Sequence, residues 1–346
     1  MSNQYLQNLD KAWKQHLAPR ETNAPTVVST FAGCGGSSLG YSMAGFKELL
    51  AVEWDDHAVK TFEANFPEVP VFHGDICHFS VENALMAANI KPGELDVFDG
   101  SPPCQGFSMA GRRIIDERAI DDERNQLFRQ YVRLIDGFKP KVIVMENVPG
   151  MIRGEFRRIQ GEILDELRAI GYNVSCRLLS AQLLGVPQKR QRLIFIGVRK
   201  DLGIMPSHPA PNSAPINCSQ AFQNLAPDNS KTLTGQGLYL WQRTNPGEGF
   251  DKVHPKGHWF NATKISPRKP APTMTKLCSP AAIGLFHWEA PRILNIAEAK
   301  RISSFPDGYK FEGKFNDQWA RMGNCVPPLM IKAVADHIRK EILEKI

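Results

Sequence analysis

The sequence predicts an α/β protein with a doubly wound, mostly parallel sheet and a second, smaller domain. Over the first 200 residues, short apolar runs rich in β-branched and aromatic residues alternate with helix-length amphipathic segments, a pattern typical of repeated β–α–β units. After about Arg199 this alternation ends, and Pro, Gly, Asn, Ser and Thr become frequent. At 346 residues the chain is long enough for one large domain and one smaller one.

Each predicted element rests on its own periodicity. Strands are predicted at 25–31, 49–54, 69–72, 95–99, 141–145, 174–179 and 193–198. Helices are predicted at 56–66, 125–137, 156–170, 296–303 and from 328 to the end. The large domain should therefore comprise 1–198 and 296–346, and the smaller one 199–295. A doubly wound sheet of this kind binds its ligands at the carboxyl ends of its strands.

Composition excludes several classes of protein. No stretch approaches the roughly 18 consecutive apolar residues of a membrane helix, and residues 1–20 are polar without a signal-peptide core, so we expect a cytoplasmic protein. The net charge of +6 suits a nucleic acid or a small anionic substrate equally. The seven cysteines are scattered without a Cys-x-x-Cys pair, which argues against a disulfide framework or a metal site and for free thiols.

Residues 31–36 read Phe-Ala-Gly-Cys-Gly-Gly and follow the first predicted strand. Glycines let a backbone approach a ligand closely, and a helix N-terminus favours anionic groups. Alone the loop is a weak signal, because its spacing is not that of dinucleotide-binding Gly-x-Gly-x-x-Gly loops. An acid stands near the end of each of the next two predicted strands: Glu53 before Trp54, and Asp75 before Ile76. Glu53 suits a contact with ribose hydroxyls, and Asp75 suits a hydrogen bond from an adenine amino group. Each acid could equally be a solvated loop carboxylate or a helix cap.

Cys104 lies in the sequence Asp-Gly-Ser-Pro-Pro-Cys-Gln-Gly-Phe-Ser at 99–108, after the fourth predicted strand. Most cysteines are inert and buried, but the two prolines and the polar, glycine-containing exit favour an exposed, reactive thiol. The charge-rich segment 109–123 follows, with glycines at Gly106 and Gly111. This segment predicts a mobile lid, with a solvated helix face as the alternative.

Two further motifs carry charged groups toward the same predicted crevice. Glu146 ends the apolar run at 142–145, where a partly desolvated carboxyl can hold or donate a proton. Residues 188–192 read Gln-Lys-Arg-Gln-Arg before the last predicted strand. Because alternate strand residues share a face, Arg190 and Arg192 should point the same way and hold a phosphate or a carboxylate. A solvent-facing basic cluster is the alternative.

In this order, the motifs resemble those of the cytosine carbon-5 methyltransferases. That family carries a glycine-rich loop, Pro-Cys, Glu-Asn-Val, Gln-x-Arg-x-Arg and a late Gly-Asn. Here they stand at 31–36, 103–104, 146–148, 188–192 and 323–326, across nearly the whole chain. Ser29-Thr30 replaces a frequent Asp-Leu, and Cys325 replaces a frequent Ser or Ala. These departures bear on fine cofactor geometry rather than on the activity.

The resemblance implies a Rossmann-like S-adenosylmethionine-dependent methyltransferase that methylates carbon 5 of a flipped cytosine in double-stranded DNA. It implies Cys104 as the covalent nucleophile, Glu146 at ring nitrogen 3, and Arg190 with Arg192 orienting the base. The domain at 199–295 would recognise the target. The implied cofactor-binding residues are Phe31, Ala32, Gly33, Cys34, Gly35, Gly36, Glu53, Trp54, Asp75, Ile76, Pro103, Asn324 and Cys325. The implied DNA-binding residues are Gln105, Ser108, Arg112, Arg113, Lys189, Arg268 and Lys269.

Three other functions compete with this interpretation. A transfer RNA methyltransferase of the same family is disfavoured, because the recognition region lacks the Cys-Phe-Thr element of that branch. A nucleotide-binding oxidoreductase would leave Cys104, Glu146 and Arg192 unexplained. A catalytically dead DNA-binding protein would not need its reactive residues. The compact length favours a monomeric bacterial or phage modification enzyme, with a separately acting restriction endonuclease as a candidate partner.

Overall fold

The computed structural model describes residues 3–103, 123–152, 156–226, 228, 230–279 and 283–346. The chain forms two compact units. We call Ala18–Leu179, Gln191–Ala210 and Lys332–Ile346 the sheet unit, and Met1–Leu17, Ser180–Arg190 and Pro211–Ile331 the loop-rich unit. The functional division into domains at 1–198 with 296–346 and at 199–295 stays a prediction. Within the described ranges, no helix is long and apolar enough to cross a membrane.

A seven-stranded sheet forms the framework of the sheet unit. Its strands are β1 (Thr26–Thr30), β2 (Lys47–Glu53), β3 (Val71–His73), β4 (Val97–Gly100), β5 (Val142–Asn147), β6 (Tyr172–Ser180) and β7 (Gln191–Arg199). Their order is β3-β2-β1-β4-β5-β7-β6. The pairs β1–β2, β1–β4, β2–β3 and β4–β5 are parallel, and β5–β7 is antiparallel. The predicted mostly parallel, doubly wound sheet is therefore confirmed.

Helices follow most strands of the chain. They are α1 (Gln4–Leu17), α2 (Gly36–Met43), α3 (Asp56–Glu63), α4 (Val81–Ala88), α5 (Glu123–Phe138), α6 (Phe156–Ala169), α7 (Cys218–Ala221), α8 (Gly235–Arg243), α9 (Ile296–Ile302), α10 (Phe315–Asn324) and α11 (Pro328–Glu341). Side-chain caps fix several starts: Asp55 accepts from the Ala58 amide before α3, and Ser80 accepts from the Asn83 amide before α4. Asn89 ends α4 in the left-handed region at φ 54°.

The core of the sheet unit lies along its central strands. Val97 and Phe98 of β4 and residues 142–145 of β5 have no solvent exposure. Such continuous apolar runs are typical of parallel strands covered on both faces. The strand order reverses between β1 and β4, so the crevice at their carboxyl ends is where ligands bind in sheets of this type.

The loop-rich unit contains two short parallel strands, β8 (Ala262–Lys264) and β9 (Gly284–Phe286). Long loops join its elements. A buried ion pair stabilises it: Arg292 Nη1 and Nη2 donate to the Glu298 carboxylate at 2.7 and 2.8 Å. Glu298 also closes a capping box with Asn295 at the start of α9.

Candidate active site

The glycine loop joins β1 to α2 through three residues with left-handed backbone conformations. Phe31, Gly33 and Gly35 have φ values of 54°, 56° and 82°, and the Gly35 amide donates to the Ala32 carbonyl at 3.0 Å. Apart from Gly33 itself and its two chain neighbours, no atom of the described residues lies within 4 Å of the position of a Cβ on Gly33. The loop therefore turns tightly and borders open space on one side.

Glu53 ties the end of β2 to this loop. Its buried carboxylate accepts from the Gly33 amide at 2.7 Å through Oε2 and from the amides of Trp54 and Asp55 at 2.9 and 3.0 Å through Oε1. A carboxylate has about four acceptor sites, so Oε2 keeps capacity for one more donor, such as a ribose hydroxyl. Beside it, the indole of Trp54 is 75% exposed, which suits a face that a ligand covers.

Asp75 follows the neighbouring strand at the same edge of the sheet. Glu53 pairs in register with His73 of β3, which places Asp75 two residues beyond that pair. Asp75 is exposed, and its Oδ1 accepts from the Cys77 amide at 2.9 Å. This hydrogen bond lowers the pKa of Asp75, so the carboxylate is ionised at neutral pH, whereas Ile76 is buried. The loop, Glu53, Trp54 and Asp75 together fit a nucleoside with a ribose and an exocyclic amine.

Glu146 and Arg192 form an ion pair on adjacent antiparallel strands. Glu146 of β5 lies opposite Ile194 of β7 in register, and Arg192 Nε lies 2.5 Å from Glu146 Oε1. Both side chains are largely buried, so the pair is only weakly screened by solvent. Gly100, the last residue of β4, pairs with Met145 of β5. Glu146 therefore lies one residue beyond the end of β4, from which the chain continues to Pro103. The structure therefore joins two motifs that are distant in sequence.

Arg190 has a different set of partners. It lies in the loop-rich unit, is 2% exposed, and donates to the carbonyls of Met274 and Gly323 at 3.0 and 3.1 Å. The strand β7 begins at Gln191, so the alternation that predicts a common face for the two arginines does not extend to Arg190. Its contacts hold two backbone segments together, and a role at the reacting base stays a prediction.

The late Gly-Asn motif ends α10 in the loop-rich unit. A Cβ on Gly323 would lie 2.4 Å from the Thr275 carbonyl oxygen, so close backbone approach explains why glycine stands there. Asn324 is exposed, and Cys325 Sγ donates to the Met322 carbonyl at 3.1 Å. Their predicted contact with the cofactor stays a prediction.

The predicted DNA-binding residues divide into two groups. Lys189, Arg268 and Lys269 are exposed in the loop-rich unit, and the Lys189 amide donates to the Ala271 carbonyl at 2.8 Å. The backbone thereby brings Lys189 beside the segment that carries the other two cations. Cys104, Gln105, Ser108, Arg112, Arg113 and the predicted lid at 109–123, apart from its last residue, lie outside the described residues.

Sequence reasoning missed a buried polar cluster behind the glycine loop, which comprises Ser29, Ser38, Tyr41, Glu48 and Asp99. Burial is the main cause that raises the pKa of Asp99 to about 7 and that of Glu48 to about 8. Asp99 belongs to the cysteine motif, but a carboxylate in a sequence gives no signal of burial. Its place inside an otherwise apolar strand was the one available clue.

A glycine loop after β1, an acid at the end of β2 and this strand order define an S-adenosylmethionine-dependent methyltransferase fold. Residues 26–340 match the family described as C-5 cytosine-specific DNA methylase, and the chain belongs to that family. It is a DNA (cytosine-5)-methyltransferase of the Type II restriction-modification kind. Family membership removes the nucleotide-binding oxidoreductase from the alternatives.

Several known proteins are similar over nearly their whole length. Type II methyltransferase M1.HphI of Haemophilus parahaemolyticus is 35% identical over 331 residues, which cover 91% of this chain and 87% of that protein. M.XorII of Xanthomonas oryzae is 30% identical, with 93% and 86% covered. A crystal structure of a prophage-encoded E. coli protein, described as a DNA modification methyltransferase, has a TM-score of 0.72 and 25% identity, covering 92% of this chain and 100% of that one.

Proposed function

We propose that the enzyme methylates carbon 5 of a cytosine extruded from double-stranded DNA, through a transient bond between Cys104 and ring carbon 6. The Glu146–Arg192 ion pair is the observation that carries this proposal. It lies beside the strand end that leads to Cys104, and it combines a carboxyl group with a fixed cation on rigid strands. Such a pair can orient a pyrimidine ring and exchange a proton with it.

The reaction needs covalent assistance because aromatic cytosine is a poor nucleophile at carbon 5. Before the chemical step, the Glu146 carboxylate takes up one proton from water. The Cys104 thiolate then adds to carbon 6, and the electron pair of the 5,6 double bond moves into the ring while nitrogen 3 takes that proton from Glu146. Carbon 5 is then enamine-like and attacks an electrophilic methyl group. Loss of the carbon 5 proton to water re-forms the double bond as the carbon–sulfur bond breaks, which returns the thiolate, and nitrogen 3 gives its proton back to Glu146. Covalent catalysis speeds the reaction because it replaces one step of high barrier with several steps of lower barrier.

Arg192 acts through Glu146 and through its own charge. Its Nε holds Oε1 of the carboxyl group at 2.5 Å, which leaves Oε2 for the ring and its exocyclic amine. As the thiolate adds, negative charge develops on the ring, and a nearby guanidinium in a partly buried site offsets that charge.

S-adenosylmethionine, when bound, supplies the methyl group on a sulfonium. In the sheet unit we assign Glu53 to its ribose, Asp75 to its adenine and Trp54 to an apolar face of the nucleoside. Residues 31–36 lie beneath it, where the open space beside Gly33 leaves room. The unfilled acceptor capacity of Glu53 supports this assignment.

Carbon 6 is hidden within the stacked duplex, so the target base has to be flipped out. Extrusion costs on the order of a few kcal/mol, which protein contacts have to offset. We assign Lys189, Arg268 and Lys269 to backbone phosphates, because exposed cations supply sequence-independent affinity. The Type II character of the relatives supports a restriction endonuclease that acts separately on the same sequence.

Substitution of the nucleophile tests the proposal. Cys104→Ala should abolish methyl transfer to duplex DNA and leave S-adenosylmethionine binding by calorimetry within about twofold, because only the covalent step needs the thiol. Cys176→Ala is the matched control, since this half-buried thiol lies in β6 and accepts from Gln160. An active Cys104→Ala enzyme would contradict the nucleophile assignment.

A further inference from the structure

The buried polar cluster joins four elements of the sheet unit: β1, α2, β2 and β4. Tyr41 lies in α2, directly after the glycine loop, and its hydroxyl donates to Asp99 Oδ1 at 3.1 Å. Asp99 lies in β4, five residues before Cys104. Both side chains are buried, so solvent does not compete for this hydrogen bond. The bond therefore links the helix behind the cofactor loop to the strand that leads to the nucleophile.

The backbone around Asp99 is also held tightly. Asp99 pairs in register with Ser29 of β1, and Thr30 Oγ1 donates to the Asp99 carbonyl at 3.1 Å. A Cβ on Gly100 would lie 2.5 Å from Thr30 Oγ1 and 2.6 Å from the Tyr131 ring. The exit of β4 thus has little freedom on the side of β1 and α5, and the Tyr41 hydroxyl fixes the Asp99 side chain itself.

We propose that Tyr41 and Asp99 form a positioning pair that holds the exit of β4 in register with the helix behind the glycine loop. The pair touches neither the base nor the methyl donor. It acts by fixing the direction in which residues 101–103 leave the strand. This inference rests on the proposed function, since the placement of Cys104 matters only if that residue reacts.

The surroundings of Asp99 favour its neutral form. Titratable groups act on it from four elements: Tyr41 of α2, Glu48 of β2, Tyr131 of α5 and Glu146 of β5. Burial is the largest cause and raises the pKa of Asp99 to about 7; the hydrogen bonds from Tyr41 and Ser37 act to lower this pKa, and the charge of Glu146 acts to raise it. Above that pH the strand exit carries a desolvated anion beside a second carboxylate, which opposes the packed arrangement.

Glu48 makes the cluster more sensitive to charge. Both of its carboxylate oxygens are inaccessible to solvent and have no hydrogen-bond partner of normal geometry among the described residues, although the Ser29 and Ser38 hydroxyls lie nearby. Burial raises the pKa of Glu48 to about 8. Because both neighbouring carboxyl groups are desolvated, a negative charge on Asp99 is energetically unfavourable.

Four variants test the pair. Tyr41→Phe removes one hydroxyl and leaves a ring that fits the same site. Asp99→Asn mimics the protonated acid, and Asp99→Ala removes the acceptor. Tyr172→Phe is the matched control. Tyr172 lies in β6 of the same unit, and its buried hydroxyl donates to the Pro140 carbonyl at 2.7 Å. For each, kcat and the KM values for S-adenosylmethionine and DNA are measured at about pH 6 and pH 8.5, with thermal unfolding in parallel.

We expect Tyr41→Phe to lower kcat roughly tenfold, since one buried hydrogen bond is worth about that factor, and to change both KM values less than threefold. Tyr172→Phe should lose similar thermal stability and keep its kcat. Asp99→Asn should recover most of the kcat that Asp99→Ala loses at about pH 6. The kcat of Asp99→Asn divided by that of the wild type should be severalfold higher at about pH 8.5 than at about pH 6, because the wild-type Asp99 ionises at the higher pH and asparagine does not.

Two results would overturn the inference. One is a Tyr41→Phe enzyme whose kcat matches that of Tyr172→Phe, which would make the hydroxyl merely structural. The other is an Asp99→Asn enzyme as inactive as Asp99→Ala at both pH values, which would mean that the charged carboxylate is needed. Trapping of wild-type enzyme on 5-fluorocytosine DNA, run alongside, reports separately on Cys104 and so distinguishes failure of the proposed function.

Discussion

At the scale of single residues, the sequence singled out charged groups but did not predict which groups they pair with. Glu146 and Arg192 were separate motifs, and the antiparallel register of β5 and β7 joins them. Arg190 looked equivalent to Arg192, yet its guanidinium binds two backbone carbonyls. Pairing of this kind depends on where a strand begins, and local sequence defines that boundary poorly.

Glu146→Gln tests the acid at this scale. Gln keeps the shape and the acceptor oxygen but cannot deliver a proton, so kcat should fall by roughly a hundredfold or more. The dissociation constant for duplex DNA should change by less than about threefold, because exposed cations supply most of that affinity. Single-turnover methylation and fluorescence anisotropy measure the two quantities. Equal losses in both would indicate a carboxylate with only a structural role.

At the scale of elements, the strands were predictable and the special loops only partly so. The strands β1, β4 and β5 contain buried apolar runs, and each strand lies within two residues of its predicted bounds. The sequence indicated the glycine loop but not its left-handed residue Phe31. Burial of Asp99 was not predicted, because the polar partners that surround it come from elements that meet only in the folded protein.

Gly33→Ala tests the glycine loop as a cofactor cradle. Gly33 and Gly203 both have positive φ, 56° and 69°, and a Cβ on either would have no described atom within 4 Å beyond the glycine and its two chain neighbours. Alanine at either position should therefore cost a similar conformational strain of about 1 kcal/mol in the free energy of unfolding. Only Gly33→Ala should weaken S-adenosylmethionine binding, by about tenfold or more, as its methyl enters the open space. Equal calorimetric affinities for the two variants would contradict the cradle.

At the scale of the whole molecule, stability and DNA affinity both depend on charges outside the reacting groups. The pKa of Glu48 is raised from 4.5 to about 8 by burial, so the folded protein binds this proton more tightly than the unfolded chain. The favourable contribution of the protonated group is complete below about pH 4.5 and is lost as pH rises toward 8.

Glu48→Gln should remove that pH dependence. We expect the variant to exceed the wild type in free energy of unfolding at about pH 8 by on the order of 2 kcal/mol, and by less at about pH 5. The residue is only partly buried although its oxygens are inaccessible, so the full shift is discounted. Urea denaturation at the two pH values measures the difference. A variant that is less stable at both would show that the carboxylate is needed.

Arg268→Ala and Lys269→Ala test the electrostatic part of DNA binding. Each should weaken binding of target and unrelated duplexes by similar factors and reduce the slope of log affinity against log salt by about 1. Lys14→Ala is the control, because this lysine pairs with Asp10 on α1 and should leave the slope unchanged. A loss confined to the target sequence would mean that these side chains read bases instead of phosphates.

The covalent step is tested most directly with a duplex that carries 5-fluorocytosine at the methylated position, incubated with S-adenosylmethionine. Fluorine cannot leave carbon 5 as a proton does, so the reaction should stop before the thiol is eliminated. We expect a denaturant-stable complex whose linked peptide, identified by mass spectrometry, carries the base on Cys104, and no complex with Cys104→Ala. An enzyme that methylates ordinary DNA but gives no such complex, or attaches the base elsewhere, would contradict the mechanism.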